Sequence, residues 1–330
     1  MRSGIAAVLA IFILLMPMSL SASPENQLEP LSFLPLWRPQ AQFAGFYVAL
    51  EKGFYRQNGI DLQFIQGGPN RSPGNYLIDG KADVALLWLS NAIQLAASGA
   101  DVVNLAQVVQ RSALMMVSRK SSGIVSPADM EGKKIAMWPA DFQIQPRAFF
   151  AKYHLNVQTV TAANTLNLFL RGGVDLALVM WYNEFHTLMT YGIDPDELNT
   201  IFFPDYDLNF PEDGIYVLGD TWFKKADLLC RFVMASLEGW YYAFEHPDEA
   251  LDIVIPVMEK NFVPANRIHQ RWMLDRMQNL IDPGRNGTKT FELKESDFQR
   301  VSTVLHNDNL IMFSPNFEYF SKGCVHHAKK

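Results

Sequence analysis

The sequence predicts an α/β protein of two lobes with a hinged cleft between them and a helical C-terminal part packing on the first lobe. Three observations carry that prediction. Apolar runs of strand length alternate with helix-length segments from Leu31 to Val109. The same grammar restarts after Lys120 and runs to Tyr191. From Thr221 onward long helical stretches take over. Alternation of this kind builds a mostly parallel sheet with helices on both faces.

The elements follow in order. Leu31 to Leu36 has the length of a buried strand, after a polar arm from Pro24 to Pro30. Phe43, Phe46, Tyr47 and Leu50 then fall on one helical face, and Gly53 and Gly59 punctuate its end. Ile60–Ile65 reads as a strand, 72–79 as a helix, Val84–Leu87 as a buried strand, Ser90–Ala97 as a helix and Val102–Val109 as a strand. In the second unit, Lys134–Met137, Val157–Val160 and Leu176–Met180 are strand-like. Ile144–Tyr153, Thr165–Arg171 and Asn183–Tyr191 are helix-like. Helices are expected at Trp222–His246, Pro247–Asn261, Pro264–Asn279 and Lys294–Asn307, with Pro247, Pro264 and Pro283 at starts or stops. Helices alone build no third sheet, so they are expected to pack back on the first unit. The chain would cross between lobes near Met116–Gly123 and again near Gly214–Thr221. The expected organisation is a leader over 1–22, lobe 1 over 23–118, lobe 2 over 119–218 and completing helices over 219–330.

Composition narrows the function. The 330 residues are 49% hydrophobic and 19% charged, which is ordinary for a globular chain. A formal net charge of −6 gives no basic surplus for nucleic acid. Two cysteines, Cys230 and Cys324, are too few for a disulfide scaffold or a cysteine-rich metal cluster. Whether they pair is left open by the sequence. Gly4 to Met16 is an uninterrupted small or apolar run behind Arg2, closed by Pro17 and followed by small residues. This is the layout of a secretory signal peptide, and it is shorter than the roughly 20 residues of a membrane span. Its removal takes away Arg2 and moves the formal charge from −6 to −7. A mature chain outside the cytoplasm, not inserted in a membrane, is expected. Two lobes, two crossings and an export signal together suggest a hinged binding protein that holds a ligand at the carboxyl ends of its strands.

Candidate cleft residues stand at those strand ends. Trp37 follows the first strand, where it either joins the core or offers a flat face to a ring. Gln42 and Phe43 open the first helix. The loop Gly67-Gly68-Pro69-Asn70-Arg71 precedes a helix, so Gly68 and Asn70 either touch an anionic group or merely make a tight connection. Trp88 and Asn91 follow the third strand, beside Ser90 as an N-cap. Trp138 holds the matching place in the second unit, and across from Trp37 it would complete an aromatic clamp. Trp181, Tyr182 and Glu184 follow Leu176–Met180. Glu184 either serves its own helix N-terminus or presents a carboxylate to ring N–H donors. Tyr206 and Asn209 are weaker candidates. The histidines, His154, His186, His246, His269, His306, His326 and His327, form no metal-ligand spacing. A nucleophile elbow and a phosphate-binding Lys-Ser/Thr loop are both missing.

Trp37-Arg38-Pro39-Gln40-Ala41-Gln42-Phe43-Ala44-Gly45-Phe46-Tyr47-Val48-Ala49, with Glu51-Lys52-Gly53-Phe54-Tyr55 and Gly59-Ile60-Asp61-Leu62, resembles the NMT1/THI5-like family. The resemblance continues at Asp79-Gly80-Lys81-Ala82-Asp83, Gly132-Lys133-Lys134-Ile135 and Met180-Trp181-Tyr182-Asn183-Glu184, covering roughly residues 31–220. It implies a type II periplasmic binding protein, a monomer that delivers a small ligand to an inner-membrane ABC permease without cofactor, metal or catalysis. It also implies a thiamine-precursor pyrimidine as ligand, of the formylaminopyrimidine or hydroxymethylpyrimidine type, grasped by Glu184. Riboflavin, a sulfonate, nitrate or an aromatic acid are the ligands of the wider fold. A sensor module for a membrane receptor kinase is the alternative partner reading. The family's eukaryotic pyrimidine synthases carry a cysteine-rich cluster linked to iron, from which this two-cysteine chain departs.

Overall fold

The computed structural model describes residues 28–162, 165–282 and 291–324. The expected leader, Pro24, Pro283 and the His326-His327 tail lie outside the described residues. The first unit runs β1 (Glu29–Leu34), α1 (Ala44–Glu51), α2 (Phe54–Gln57), β2 (Ile60–Phe64), α3 (Pro73–Ile78), β3 (Val84–Leu87), α4 (Leu89–Ala97) and β4 (Val102–Val109). The second runs β5 (Leu114–Arg119), β6 (Lys134–Met137), α5 (Ile144–Lys152), β7 (Gln158–Thr161), α6 (Asn167–Leu170), β8 (Leu176–Met180), α7 (Glu184–Thr190) and β9 (Leu198–Phe202). The chain closes with β10 (Glu212–Leu218), α8 (Gly219–Glu245), α9 (Pro247–Lys260), α10 (Arg267–Ile281), α11 (Glu295–Asn307) and α12 (Phe317–Phe320).

These strands form two five-stranded sheets of matching order, β2-β1-β3-β10-β4 and β7-β6-β8-β5-β9. β10 is antiparallel to β3 and β4, and β5 is antiparallel to β8 and β9. The other four strands of each sheet run parallel to one another, so both sheets are mixed. The antiparallel strands are the first ones made after each passage between sheets. The passages therefore lie at 110–113 and 203–211, upstream of the positions expected from sequence. Leu114–Ser118 reads as a linker only if its apolar run is overlooked; it sits between β8 and β9 and is fully buried.

The two passages are tied together. The buried Glu212 carboxylate accepts from the Ala113 N–H (2.8 Å) and the Ser112 hydroxyl (2.8 Å). Asn209 accepts from the Ser112 N–H (2.9 Å) and donates to the Gln110 carbonyl (3.0 Å). Asn209 thus joins one passage to the other and is not among the residues that line the cleft. Tyr206 is spent on packing against Phe149 and Tyr153.

The C-terminal helices complete the first unit. α8 lies on α1, α9 on both, and α11 on α4. The α1–α8 approach is close enough to need glycine on both sides. A Cβ on Gly45 would stand 2.3 Å from the Trp240 ring, and one on Gly239 would stand 2.1 Å from the Gly45 carbonyl. Trp240 and Phe232 of α8 are buried with Phe33 of β1 and Phe46 of α1 in one core. Cys230 on α8 is disulfide-bonded to Cys324, resolving the open pairing. Closing a loop across a separation of 94 residues removes denatured-state freedom, by the chain-entropy model about 4 to 5 kcal/mol. No helix among the described residues is long and apolar enough to cross a membrane.

Candidate functional site

Between the two sheets lies a cavity of about 940 Å³. Its walls are the segments that follow β1, β2 and β3 on one side and β6 and β8 on the other. Both sheets thus point the carboxyl ends of parallel strands into one cleft, the usual ligand position of open α/β sheets. Eight of the ten expected residues line it: Trp37, Gln42, Gly68, Trp88, Asn91, Trp138, Tyr182 and Glu184.

Two do not. Asn70 is exposed in the turn beyond Gly68. Trp181 leaves the cleft because side chains alternate along and just past β8, so Met180 and Tyr182 face the cavity and Trp181 turns away. Its ring packs edge-on against Phe202 at 5.5 Å, with the Arg276 guanidinium 5.0 Å from its face. Phe43 is fully buried core, and Ser90 sits inside α4, whose N-cap is Trp88. Just before Gly68, Gly67 passes close to the end of β1, where a Cβ would meet the Trp37 carbonyl oxygen at 2.2 Å.

Aromatic rings make the walls. Trp138 stands edge-on to Phe142 at 5.3 Å, and Phe142 edge-on to Trp88 at 5.0 Å. The ring of lobe 1 that meets lobe 2 is therefore Trp88, whereas Trp37 lines the cavity apart from this cluster. Asn91 also spans the lobes, donating from Nδ2 to Asp141 Oδ2.

One carboxylate, Glu184, lines the floor of the cavity, and two more acids are buried behind it. Glu184 Oε2 accepts from the Met180 N–H (3.0 Å) and Oε1 from Asn183 Nδ2 (2.8 Å). Enclosure pushes its pKa up to about 7 against the pull of the Met180 N–H. Behind the cavity wall, Gln40 donates to Gln42 (2.6 Å) and Gln42 donates to Asp213 Oδ2 (2.7 Å). Asp213 is 3% exposed, its Oδ1 has no partner, and its φ of 26° places a non-glycine residue in the left-handed region. Burial raises its carboxyl to about 6, opposed by Gln42 and, more weakly, by the nearby Trp88 indole N–H. Burial and then the neighbouring Asp213 raise Glu212 to about 8. Burial foremost, then Glu212, Asp213 and Glu184, push the Tyr182 phenol up. Among the described residues no Lys or Arg forms an ion pair with these three acids. A cavity-lining carboxylate such as Glu184 favours N–H and O–H donors, and the walls favour a flat ring. Glu212 and Asp213 were not foreseen; two adjacent acids at the start of an apolar run, Ile215–Leu218, were the available signal.

The NMT1/THI5-like family model matches residues 40–250. The chain belongs to this family. Its relatives within and around the family include the formylaminopyrimidine-binding protein of Halalkalibacterium halodurans, 24% identical over 292 residues, 84% of this chain and 87% of that one. The riboflavin-binding protein RibY of Chloroflexus aurantiacus is 25% identical over 240 residues, 70% of this chain and 65% of its own. Synthases also occur among them: yeast 4-amino-5-hydroxymethyl-2-methylpyrimidine phosphate synthase THI5 is 21% identical over 155 residues, 46% of each chain. In structure, the putative periplasmic sulfonate-binding protein SsuA of Methylobacillus flagellatus superposes with a TM-score of 0.70 at 14% identity, covering 92% of this chain and 94% of that one. The fold of this family member is that of the type II periplasmic binding proteins. Its structural relatives include ABC-transporter binding components.

Proposed function

We propose that the chain captures a small heteroaromatic solute, foremost a thiamine-precursor pyrimidine, for an ABC importer. The observation that carries the reading is Glu184 on the floor of an aromatic-walled interlobe cleft, a carboxylate already held at both oxygens and with further acceptor capacity facing the cavity. A pyrimidine with an exocyclic amine offers the complementary donors. Trp37, Trp88 and Trp138 supply faces and edges for its ring. Capture proceeds by closure: the lobes turn about the paired passages at 110–113 and 203–211, water leaves the aromatic walls, and the closed pair of lobes becomes the surface a permease reads. The Cys230–Cys324 disulfide suits a chain exported to an oxidising compartment, in keeping with residues 1–22 as a signal peptide. The family's name for one relative, a formylaminopyrimidine-binding protein, supports the same ligand class.

The cavity of about 940 Å³ is ample for a single ring, which favours a second reading in which a larger heteroaromatic such as riboflavin is the solute. Mass spectrometry of ligand carried through gentle purification separates the two. A small aminopyrimidine supports the first reading and an isoalloxazine the second. A sulfonate or nitrate would remove both.

A further inference from the structure

α10 lies along the back of the cleft and touches both lobes. Two of its residues, Gln270 and Met273, face the turn that carries Gln42: Gln270 Oε1 accepts from the Ala41 N–H (2.7 Å) and Met273 Sδ from the Gln42 N–H (3.2 Å). The neighbouring pair, His269 and Trp272, again three residues apart, faces lobe 2. Trp272 Nε1 donates to the Trp181 carbonyl (3.1 Å). His269 Nδ1 lies 2.9 Å from Nδ1 of His186 on α7, and His269 Nε2 lies 2.9 Å from Asn183 Oδ1.

The proton positions in this chain are fixed by its end. Asn183 gives its Nδ2–H to Glu184, so Asn183 Oδ1 faces His269 and must accept. His269 then carries its proton on Nε2 and offers a lone pair at Nδ1. His186 donates to that lone pair. All three bonds donate in one direction, toward the Glu184 carboxylate, an arrangement in which each bond polarises the next.

We propose that His186 and His269 form an interlobe latch that holds the cleft closed and, through Asn183, positions Glu184 for its ligand. Acid works against the latch, because burial disfavours a charged imidazole at His269, and two charged imidazoles would leave donors facing each other at 2.9 Å. Burial foremost, and then His186, already lowers His269 to about 4, and burial lowers His186. The charged groups around the pair agree with that state. Glu184 reaches it only through Asn183. Arg276 stands over Trp272, 4.4 Å from the ring that stacks on His186. Arg271 and Arg267 are spent on Asp248, Asp252 and Asp275 on the outer side of α9 and α10. Among the described residues no carboxylate bonds either imidazole, so none of them rewards protonation of the closed form. The sign follows: when the lobes part, His269 regains its ordinary pKa near 6.5, so acid favours the open form from about pH 6.5 down to about pH 4.

The proposal rests on the cleft as the binding site, but its test needs no ligand. The radius of gyration of ligand-stripped full-length protein is measured by small-angle scattering from pH 8 to pH 5. The wild type is expected to expand as pH falls. His269→Leu is expected to be expanded already at pH 8, with an unchanged circular dichroism spectrum. His269→Gln, whose amide can both accept from His186 and donate to Asn183 without titrating, is expected to be more compact than His269→Leu at pH 8 and to lose most of the response to acid. A wild type whose radius is independent of pH, or a His269→Gln variant that responds as the wild type does, overturns the latch. Either outcome leaves the identity of the solute untouched.

Discussion

The walls and the floor of the cleft are built in different ways. The walls are rings that each follow a strand within a few residues: Trp37 after β1, Trp88 after β3, Trp138 after β6. The floor brings together Gln40 and Gln42 with Glu184, far apart in the chain, and Gln42 rests on Asp213 buried behind it. Local order suffices to make a wall, while the floor exists only once two sheets and two chain passages are in place. Under the proposed reading, stacking on the walls would give general affinity for flat rings, and the floor would select which ring edges are accepted.

The largest expected effect comes from the floor. Glu184→Gln should weaken aminopyrimidine binding by about 2–4 kcal/mol in calorimetry, since a charged hydrogen bond in an enclosed site is lost. An unchanged affinity would leave the walls as the whole site. The same carboxyl gives a pH dependence. With its pKa near 7 in the free protein and lower once a ring N–H binds, affinity should be constant above about pH 7 and fall as pH drops through it.

The walls should contribute less per residue. Trp37→Ala is expected to cost about 1–3 kcal/mol of binding, the usual worth of one base-to-aromatic stack, and to do so equally for pyrimidine and isoalloxazine ligands. A loss confined to one ligand would mean that a wall discriminates too.

A stability measurement sharpens the contrast further. Glu212 has a pKa raised by folding to about 8, so its contribution is present at low pH and lost as pH rises from about 4.5 through 8. Glu212→Gln keeps an acceptor for the Ser112 hydroxyl and the Ala113 N–H without the buried charge. Denaturant melts should find it near the wild type at about pH 4 and increasingly the more stable of the two as pH rises to 9. Equal stabilities at pH 9 would show that the Glu212 carboxylate is solvated. The smallest effect belongs to the cleft mouth: Asn91→Ala removes one partly exposed bond to Asp141 and should change affinity by less than about 1 kcal/mol.

This contrast also explains what was legible in the sequence. The exact strands Val84–Leu87, Val102–Val109 and Leu176–Met180 were readable because they are continuous buried runs flanked by turn residues. The long C-terminal helices were readable from their period and their prolines. Leu114–Arg119 was lost because a strand that enters a sheet antiparallel, directly after a passage, breaks the alternation used to place it. Trp37, Trp88 and Trp138 were found by their position after strands, and Trp181 was misplaced by the same rule, since one residue of register decides which face a side chain takes. Asp213, Glu212, His186 and His269 carry no local pattern. Their partners lie between 83 and 171 residues away in the chain, as in His186 to His269 and Gln42 to Asp213.

The most direct measurement is isothermal calorimetry on refolded, ligand-stripped protein with formylaminopyrimidine and hydroxymethylpyrimidine. Micromolar or tighter binding to one of them, at one site per chain and abolished in Glu184→Gln, is the predicted result. Affinities no better than millimolar for both would contradict a pyrimidine as the solute of this cleft.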